Sequence, residues 1–136
     1  AIAMKDFQEN VSKLKNLESF RLKFEAKIKA TFPEAVIVGE DAPRLAGTTL
    51  IGYPGTHGQA VQIELESNDI FVTTSAACTD NQPETSKVLE AMGITDEIGR
   101  GVIRISTSYG HSAEDYEKLG MSLIAAYQKL KKIKSF

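Results

Sequence analysis

The N-terminal segment of the chain places its apolar side chains on one stripe of a helix, at spacings of three and four residues: Phe7, Val11, Leu14, Leu17, Phe20, Phe24 and Ile28. Pro33 disfavours helical geometry in the residue before it, so the pattern predicts a helix over residues 2–31. At about 1.5 Å per residue this helix is roughly 40 Å long, more than a compact domain of this size needs. The opening letters AIAMKDF offer no N-cap. We therefore expect this helix to reach something outside the domain, and the chain to be a fragment.

Length, charge and cysteine content exclude several classes of protein. A chain of 136 residues suits one domain with a single core. A net charge of −2 gives no basic field for nucleic acid or anionic lipid. One cysteine excludes an internal disulfide and a multi-cysteine zinc site, and it fits a reducing compartment. With no signal peptide and no apolar run near the roughly 18 residues of a membrane span, we expect a cytoplasmic, single-domain chain over 1–136.

After Pro33, β-branched runs bounded by Gly, Pro and polar residues predict short strands over 35–39, 48–53, 69–74 and 101–107. Two helices have recognisable ends: residues 86–93 close at Gly93, and a last helix begins at Ser112 with Asp115 in a capping-box-like arrangement. Residues 59–67 fit either an alternating strand or a helix, and the helix is favoured. This order predicts an α+β fold with helices packed on a small, mainly antiparallel or mixed sheet.

Several candidate sites have a structural explanation. His57 and His111 lie in turn-like segments beside glycine, without a carboxylate at ligand spacing, so we interpret both as structural. The letters GYPGTHG resemble a phosphate cradle but lack the Walker lysine and the dinucleotide glycine spacing. The terminal KLKKIK favours a solvated face whose cations complement the helix dipole. No metal site is predicted.

Arg104 is unusual because it lies inside the apolar strand pattern VIRIS. In a strand it shares a face with Val102 and Ser106. A guanidinium there has to pair with an anion or stay partly exposed to water, since an unpaired buried charge costs on the order of several kcal/mol. The residues alone leave two interpretations open: an ion pair with one of the 18 acids of the chain, or a partly sheltered anchor for an anionic ligand.

Cys78 is unusual because its neighbours, TTSAACTDNQPETS, form no periodic apolar face. A free cysteine is most often a small buried hydrophobe. This composition instead predicts an accessible thiol on a mobile loop over 76–84. Without a nearby base or cation to activate it, such a thiol is expected to act after moving.

The stretch TTSAACTDNQPETSKVLEAMGITDEIGRGVIRIS resembles the C-terminal small domain of the cysteine desulfurases of the NifS and IscS type, a class V aminotransferase-type family. Four motifs carry the resemblance: Ser-x-x-Cys-Thr at 75–79, Val-Leu-x-Ala-hydrophobic-Gly at 88–93, an acidic turn at Asp96 and Glu97, and Ile-Arg-hydrophobic-Ser at 103–106. The upstream letters GEDAPRLAGTTLI and GTHGQAVQIELESNDIFVTTS look like the strands and connecting helix of the same domain. The resemblance therefore covers the whole chain.

The resemblance implies a function and two site residues. Cys78 matches the catalytic cysteine that takes sulfur from L-cysteine as a persulfide, leaving L-alanine, and Arg104 matches the arginine that holds the substrate carboxylate. The family uses pyridoxal phosphate. It passes the sulfur to an acceptor or scaffold protein for iron–sulfur cluster assembly, and its members are homodimers of fold type I. The large domain of the family binds the cofactor, so the resemblance implies no cofactor-binding residue here and an inactive isolated chain. It also implies that 1–31 is the connector helix from that large domain.

Two departures from the family pattern keep alternatives open. The usual Ser-Gly-Ser-Ala-Cys-Thr-Ser is TSAACTD at 74–80, and the usual Ser-Leu-Gly after the arginine strand is STSYG at 106–110. The alternatives are a relative of the selenocysteine lyases and a non-enzymatic α+β module that binds a partner or a small ligand.

Overall fold

The computed structural model describes residues 2–42, 44, 46–75, 77–79, 82–107 and 110–134, with the backbone alone for 2–7, 77–79, 82–84 and 134. The helices are α1 (Ile2–Thr31), α2 (Gly58–Glu66), α3 (Lys87–Ala91), α4 (Asp96–Gly99) and α5 (Ala113–Lys134). The strands are β1 (Val36–Ile37), β2 (Thr48–Gly52), β3 (Thr73–Thr74), β4 (Ala77–Thr79), β5 (Gln82–Glu84) and β6 (Ile103–Ser106). No helix in this described part combines the length and the apolar character needed to cross a bilayer.

One four-stranded sheet organises the domain, in the order β1-β2-β6-β3. Every pairing in it is antiparallel. The central pair, β2 with β6, runs in register from Thr48 opposite Ser106 to Ile51 opposite Ile103. Strands β4 and β5 form a separate hairpin. The predicted α+β fold with an antiparallel sheet is confirmed.

Helices α1, α2 and α5 cover one face of this sheet, and α5 packs against both of the others. The burial of β6 alternates: Ile103 and Ile105 are buried beneath the helices, whereas Arg104 and Ser106 are exposed on the opposite face. The main core consists chiefly of these side chains: Leu17, Phe24, Ile28, Phe32, Ile51, Tyr53, Val61, Leu65, Ile103, Ile105, Tyr116, Leu119, Leu123 and Tyr127. The predicted stripe of α1 therefore enters the core in its second half.

Local signals at the helix ends are confirmed. Ser86 caps α3 by accepting a hydrogen bond from the Leu89 N–H, and Gly93 adopts a φ of 81° just after the helix. At α5 the Ser112 N–H donates to Asp115 Oδ2 at 2.8 Å, and the Asp115 N–H donates to Ser112 Oγ at 3.3 Å. This reciprocal pair is the predicted capping arrangement, with Asp115 in the place of the usual Glu or Gln. The favoured helix over 59–67 is also confirmed as α2.

Two expectations of local structure are wrong, and one element was not predicted. The strand predicted over 69–74 shrinks to Thr73–Thr74, because Asp69 takes a φ of 61° in the turn that ends α2. The four-residue α4 was not predicted, since one helical turn gives no readable periodicity. The polar stretch around Cys78, which we expected to be an irregular loop, pairs as β4 and β5. The prediction that residues 76–84 are mobile stays a prediction, because part of this range lies outside the described residues.

A buried ionic cluster ties α1 to the segment before β2. Glu25 is 4% exposed and Arg21 is 3% exposed. Arg44 donates two hydrogen bonds to the Glu25 carboxylate, at 2.6 and 2.8 Å, and Thr49 Oγ1 donates a third at 3.0 Å. The bond to Glu25 raises the pKa of Arg44. Because Arg21 Nε lies 3.7 Å from the same carboxylate, Glu25 is the shared counter-charge of two arginines.

The hydroxyl of Tyr127 gives a stability prediction. The ring stacks on Tyr53 with centroids 5.2 Å apart, yet its buried hydroxyl has no hydrogen-bond partner among the described residues, and burial raises its pKa. We expect Tyr127→Phe to raise the free energy of unfolding by about 1–2 kcal/mol, because it removes a dehydrated, unsatisfied polar group. Urea unfolding of the 136-residue chain measures this.

Tyr53→Phe is the matched control for that prediction. The Tyr53 hydroxyl donates to Glu34 at 3.0 Å, so its removal is expected to cost about 0.5–1.5 kcal/mol. A loss of stability in Tyr127→Phe would contradict the prediction.

Candidate functional site

Arg104 lies at the centre of the sheet face that α1, α2 and α5 leave uncovered. In the sheet it is opposite Leu50 of β2 on one side and Thr73 of β3 on the other. Because Ile103 and Ile105 are buried and Arg104 is exposed, Arg104 lies on the opposite face of β6 from these two isoleucines, as predicted. The side chain is exposed, so the expectation of a partly sheltered guanidinium is wrong in degree.

Helices α3 and α4 create a depression around Arg104 by covering only one end of this face. A small apolar cluster of Val38, Leu89 and Val102 buries the strand segment just before Arg104, with Leu50, Ile94 and Ile98 packed against it. The depression is lined by Thr48, Leu50, Ser75, Ser86, Val88, Leu89 and Arg104. It therefore combines one cation, three hydroxyls and an apolar wall.

The electrostatics of this depression favour an anion. None of its lining residues is acidic, and among the described side chains no carboxylate lies within 4.0 Å of the Arg104 guanidinium. An arginine at such a site presents a planar fork of donors that matches a carboxylate in a bidentate contact. Of the two interpretations left open by the residues, the ligand anchor is the one that the described contacts favour.

The segment carrying Cys78 starts at the rim of the same depression. Ser75 lines it, and the Ser75 N–H donates to the carbonyl of Val102 at 3.0 Å. Cys78 follows three residues later in β4, opposite Pro83 of β5. At about 3.3 Å per extended residue, the Cys78 backbone is within roughly 10 Å of Ser75 along the chain. The Cys78 side chain lies outside the described residues, so the predicted accessibility of its thiol stays a prediction.

The remaining candidates keep their structural explanation. His57 occupies the N-cap position of α2 without a side-chain capping bond, and the first amide of α2, on Gly58, already donates to the carbonyl of Arg100 at 2.9 Å. His111 is exposed beside the Asp115 cap of α5. Among the described residues no three His, Cys, Asp or Glu side chains cluster closely enough to hold a metal ion. In KLKKIK, Lys129 pairs with Glu64 of α2 at 2.9 Å.

The sequence did not identify Thr48 and Ser86 as neighbours of Arg104. They come from β2 and from the N-cap of α3, far from Arg104 along the chain. Only the strand register and the packing of α3 bring them to one place, and neither leaves a local signal in the sequence.

Comparison with known proteins finds relatives among the cysteine desulfurases. No protein-family model matches the chain. A cysteine desulfurase from Sinorhizobium fredii is 31% identical over 115 residues, which is 85% of this chain and 30% of that protein. Cysteine desulfurase 2 from Trichormus variabilis is 28% identical over 129 residues, 95% of this chain and 32% of that protein. The chain thus spans about a third of the length of the curated relatives that it matches.

A solved structure agrees with this result at the level of the fold. The X-ray structure of a NifS-like protein from Rickettsia africae superposes with a TM-score of 0.74 and 28% identity. The match covers 94% of this chain and 32% of that one. The α+β arrangement described above is therefore found within a longer protein of known structure.

Proposed function

Since this chain is a homologue of the cysteine desulfurases over about a third of their length, we propose that it is the C-terminal small domain of such an enzyme. The domain spans 1–136, and 1–31 is its connector helix. The complete protein takes sulfur from L-cysteine, releases L-alanine and supplies the sulfur to an acceptor or scaffold protein for iron–sulfur cluster assembly. It acts in the cytoplasm as a homodimer.

The observation that carries this proposal is the position of Arg104 in a depression without acidic side chains, with Ser75 at its rim. Arg104 binds the carboxylate of L-cysteine through a charge-assisted, bidentate contact. This contact fixes the amino acid by the end that does not react. The sulfur atom is then left free to meet the segment that carries Cys78.

The transfer is balanced between the substrate and one protein thiol. The thiolate of Cys78 attacks the sulfur of L-cysteine, a sulfur–sulfur bond forms and the carbon–sulfur bond of the substrate breaks. The bonding electrons stay with the carbon skeleton, which takes up a proton and leaves as alanine. Cys78 keeps the sulfur as a persulfide, which a second thiol removes by attack on the outer sulfur.

The residues around Arg104 do not fit the cofactor of this family. Pyridoxal phosphate needs an amine for its aldehyde and an anion for its pyridine nitrogen. The lining of the depression contains neither a lysine nor an acidic residue. We therefore assign the cofactor to the part of the complete protein that lies outside this chain, and assign to this chain only the substrate carboxylate and the sulfur.

Arg104→Ala in the complete protein tests the proposal. We expect KM for L-cysteine to rise about 10- to 100-fold, because the loss of a charge-assisted contact costs about 1.5–3 kcal/mol, while kcat changes less. Steady-state alanine formation measures both constants.

Arg104→Lys and a stability measurement complete this test. Lysine keeps the charge but not the fork, so partial recovery of KM is expected. Because Arg104 is exposed, the unfolding midpoint of the alanine variant should stay near that of the unsubstituted protein. A wild-type protein that makes no alanine from L-cysteine would instead favour a non-enzymatic binding module.

A further inference from the structure

The hairpin that carries Cys78 is attached at both ends to one short segment of the domain. At its incoming end, Ser75 is bonded to Val102. Its register, from Ala77 opposite Glu84, closes the hairpin next to Thr85 at its outgoing end. Thr85 in turn contacts Asp96 of α4. Residues 96–102 thus support both ends, and they lead directly into the strand that carries Arg104.

Thr85, at the end of the hairpin, is buried and makes a side-chain hydrogen bond to α4. Its side chain is buried, with 4% of the residue exposed. Its Oγ1 donates to Asp96 Oδ1 at 2.5 Å, and the other carboxylate oxygen of Asp96 accepts from Arg100 at 3.0 Å. The Thr85 hydroxyl bond, followed by the charge of Arg100, lowers the pKa of Asp96.

Gly99 completes the arrangement from the other side. A Cβ placed on Gly99 would overlap the methyl group, the hydroxyl and the Cβ of Thr85. Gly99 is itself buried. The backbone of α4 can therefore approach Thr85 only because position 99 has no side chain.

We propose that Thr85, Asp96 and Gly99 form a seat that fixes the outgoing end of the Cys78 hairpin and sets the position from which the thiol reaches a substrate held at Arg104. This inference rests on the proposed function and extends it to positioning residues that touch neither substrate nor sulfur. The reason is geometric. A hairpin of fixed register transmits a shift at its base to Cys78, and misplacement of a reacting group by about 1 Å costs up to roughly 100-fold in rate.

Hydrogen–deuterium exchange of the 136-residue chain tests the seat directly. Thr85→Val keeps the shape of the side chain and removes its donor, and Asp96→Asn removes the charge of the acceptor. In both variants we expect the amides of residues 77–79 and 82–86, apart from Pro83, to exchange at least about fivefold faster, while those of β2 and α5 keep their rates. Thr85→Ser, which retains the hydroxyl, should restore slow exchange.

Glu97→Gln is the matched control, because Glu97 is the acidic neighbour of Asp96 in α4 and its side chain makes no described hydrogen bond or ion pair. It should exchange like the unsubstituted chain. Unchanged exchange over 77–79 and 82–86 in Thr85→Val and Asp96→Asn would overturn the seat. Equal acceleration over the whole chain would overturn it as well, since that result identifies a general loss of stability.

In the complete protein, the same variants separate positioning from binding. Single-turnover persulfide formation is expected to slow about tenfold, with KM for L-cysteine within about twofold of the unsubstituted protein, because Arg104 is undisturbed. A rise in KM with an unchanged rate would count against the seat. If the unsubstituted protein transfers no sulfur, the proposed function fails, while the exchange results still decide whether the seat holds the hairpin.

Discussion

Cys78→Ser in the complete protein is expected to lower alanine formation from L-cysteine by at least about a thousandfold. The reason is that the serine hydroxyl, a weaker nucleophile, cannot replace a thiolate that acts covalently. The substrate should still bind with a Kd within about twofold of the original, since Arg104 holds the carboxylate and is unchanged. Amino-acid analysis follows the alanine. Peptide mass spectrometry follows the persulfide, and Cys78 is the only cysteine on which this chain can carry it.

Two further variants serve as controls for Cys78→Ser. Cys78→Ala should lose turnover to the same extent, which excludes an effect of the new serine hydroxyl. Ser19→Ala removes an exposed hydroxyl from α1 and should turn over normally. Persulfide formation that survives in Cys78→Ser would remove the basis for assigning the sulfur to this residue and would move it to a cysteine elsewhere in the complete protein.

Glu25→Gln is expected to lower the free energy of unfolding by about 3–5 kcal/mol, the usual cost of leaving a buried charge without its partner. The substitution keeps the shape of the side chain. It nevertheless leaves Arg21 and Arg44 together without the carboxylate that both contact. Urea unfolding of the 136-residue chain, followed by circular dichroism, measures the loss.

Glu18→Gln is the matched control on the same helix, because Glu18 is 54% exposed in its side chain and lies 3.9 Å from Arg21. It should cost less than about 1 kcal/mol, as exposed ion pairs do. The double variant Glu25→Gln with Arg44→Met removes one of the two stranded cations and should recover part of the loss. A cost below 1 kcal/mol for Glu25→Gln alone would contradict the prediction.

How far the sequence predicted the fold depended on the length of the pattern. The long helices α1 and α5 repeat their apolar spacing over many turns, and Ser86, Gly93 and Ser112 carry chemistry that acts within a few residues. The single turn of α4 and the three-residue strands of the hairpin are too short to show a repeated spacing of apolar residues. Their structure depends on contacts between distant residues, such as that of Thr85 with Asp96.

The candidate site divides in the same way. Arg104 was recognisable because a charge interrupts an apolar strand, and its face followed from the period of two. Its degree of exposure was not predictable, because it depends on where α3 and α4 stop covering the sheet. The roles of Cys78 and Arg104 came from the resemblance, and both stay predictions until the variants above are measured.

The strand order also determines when this domain takes shape during synthesis. Strand β2 pairs with β6, and Ser106 leaves the ribosome long after its partner Thr48. Until then β2 has as a partner only the two residues of β1. The helix α1 depends on local bonds and forms early, whereas the sheet has to wait for a late strand to close a long loop. During this interval Ile51, which is fully buried in the finished domain, has no β6 beside it, and the nascent chain carries an uncovered apolar surface that a chaperone can hold.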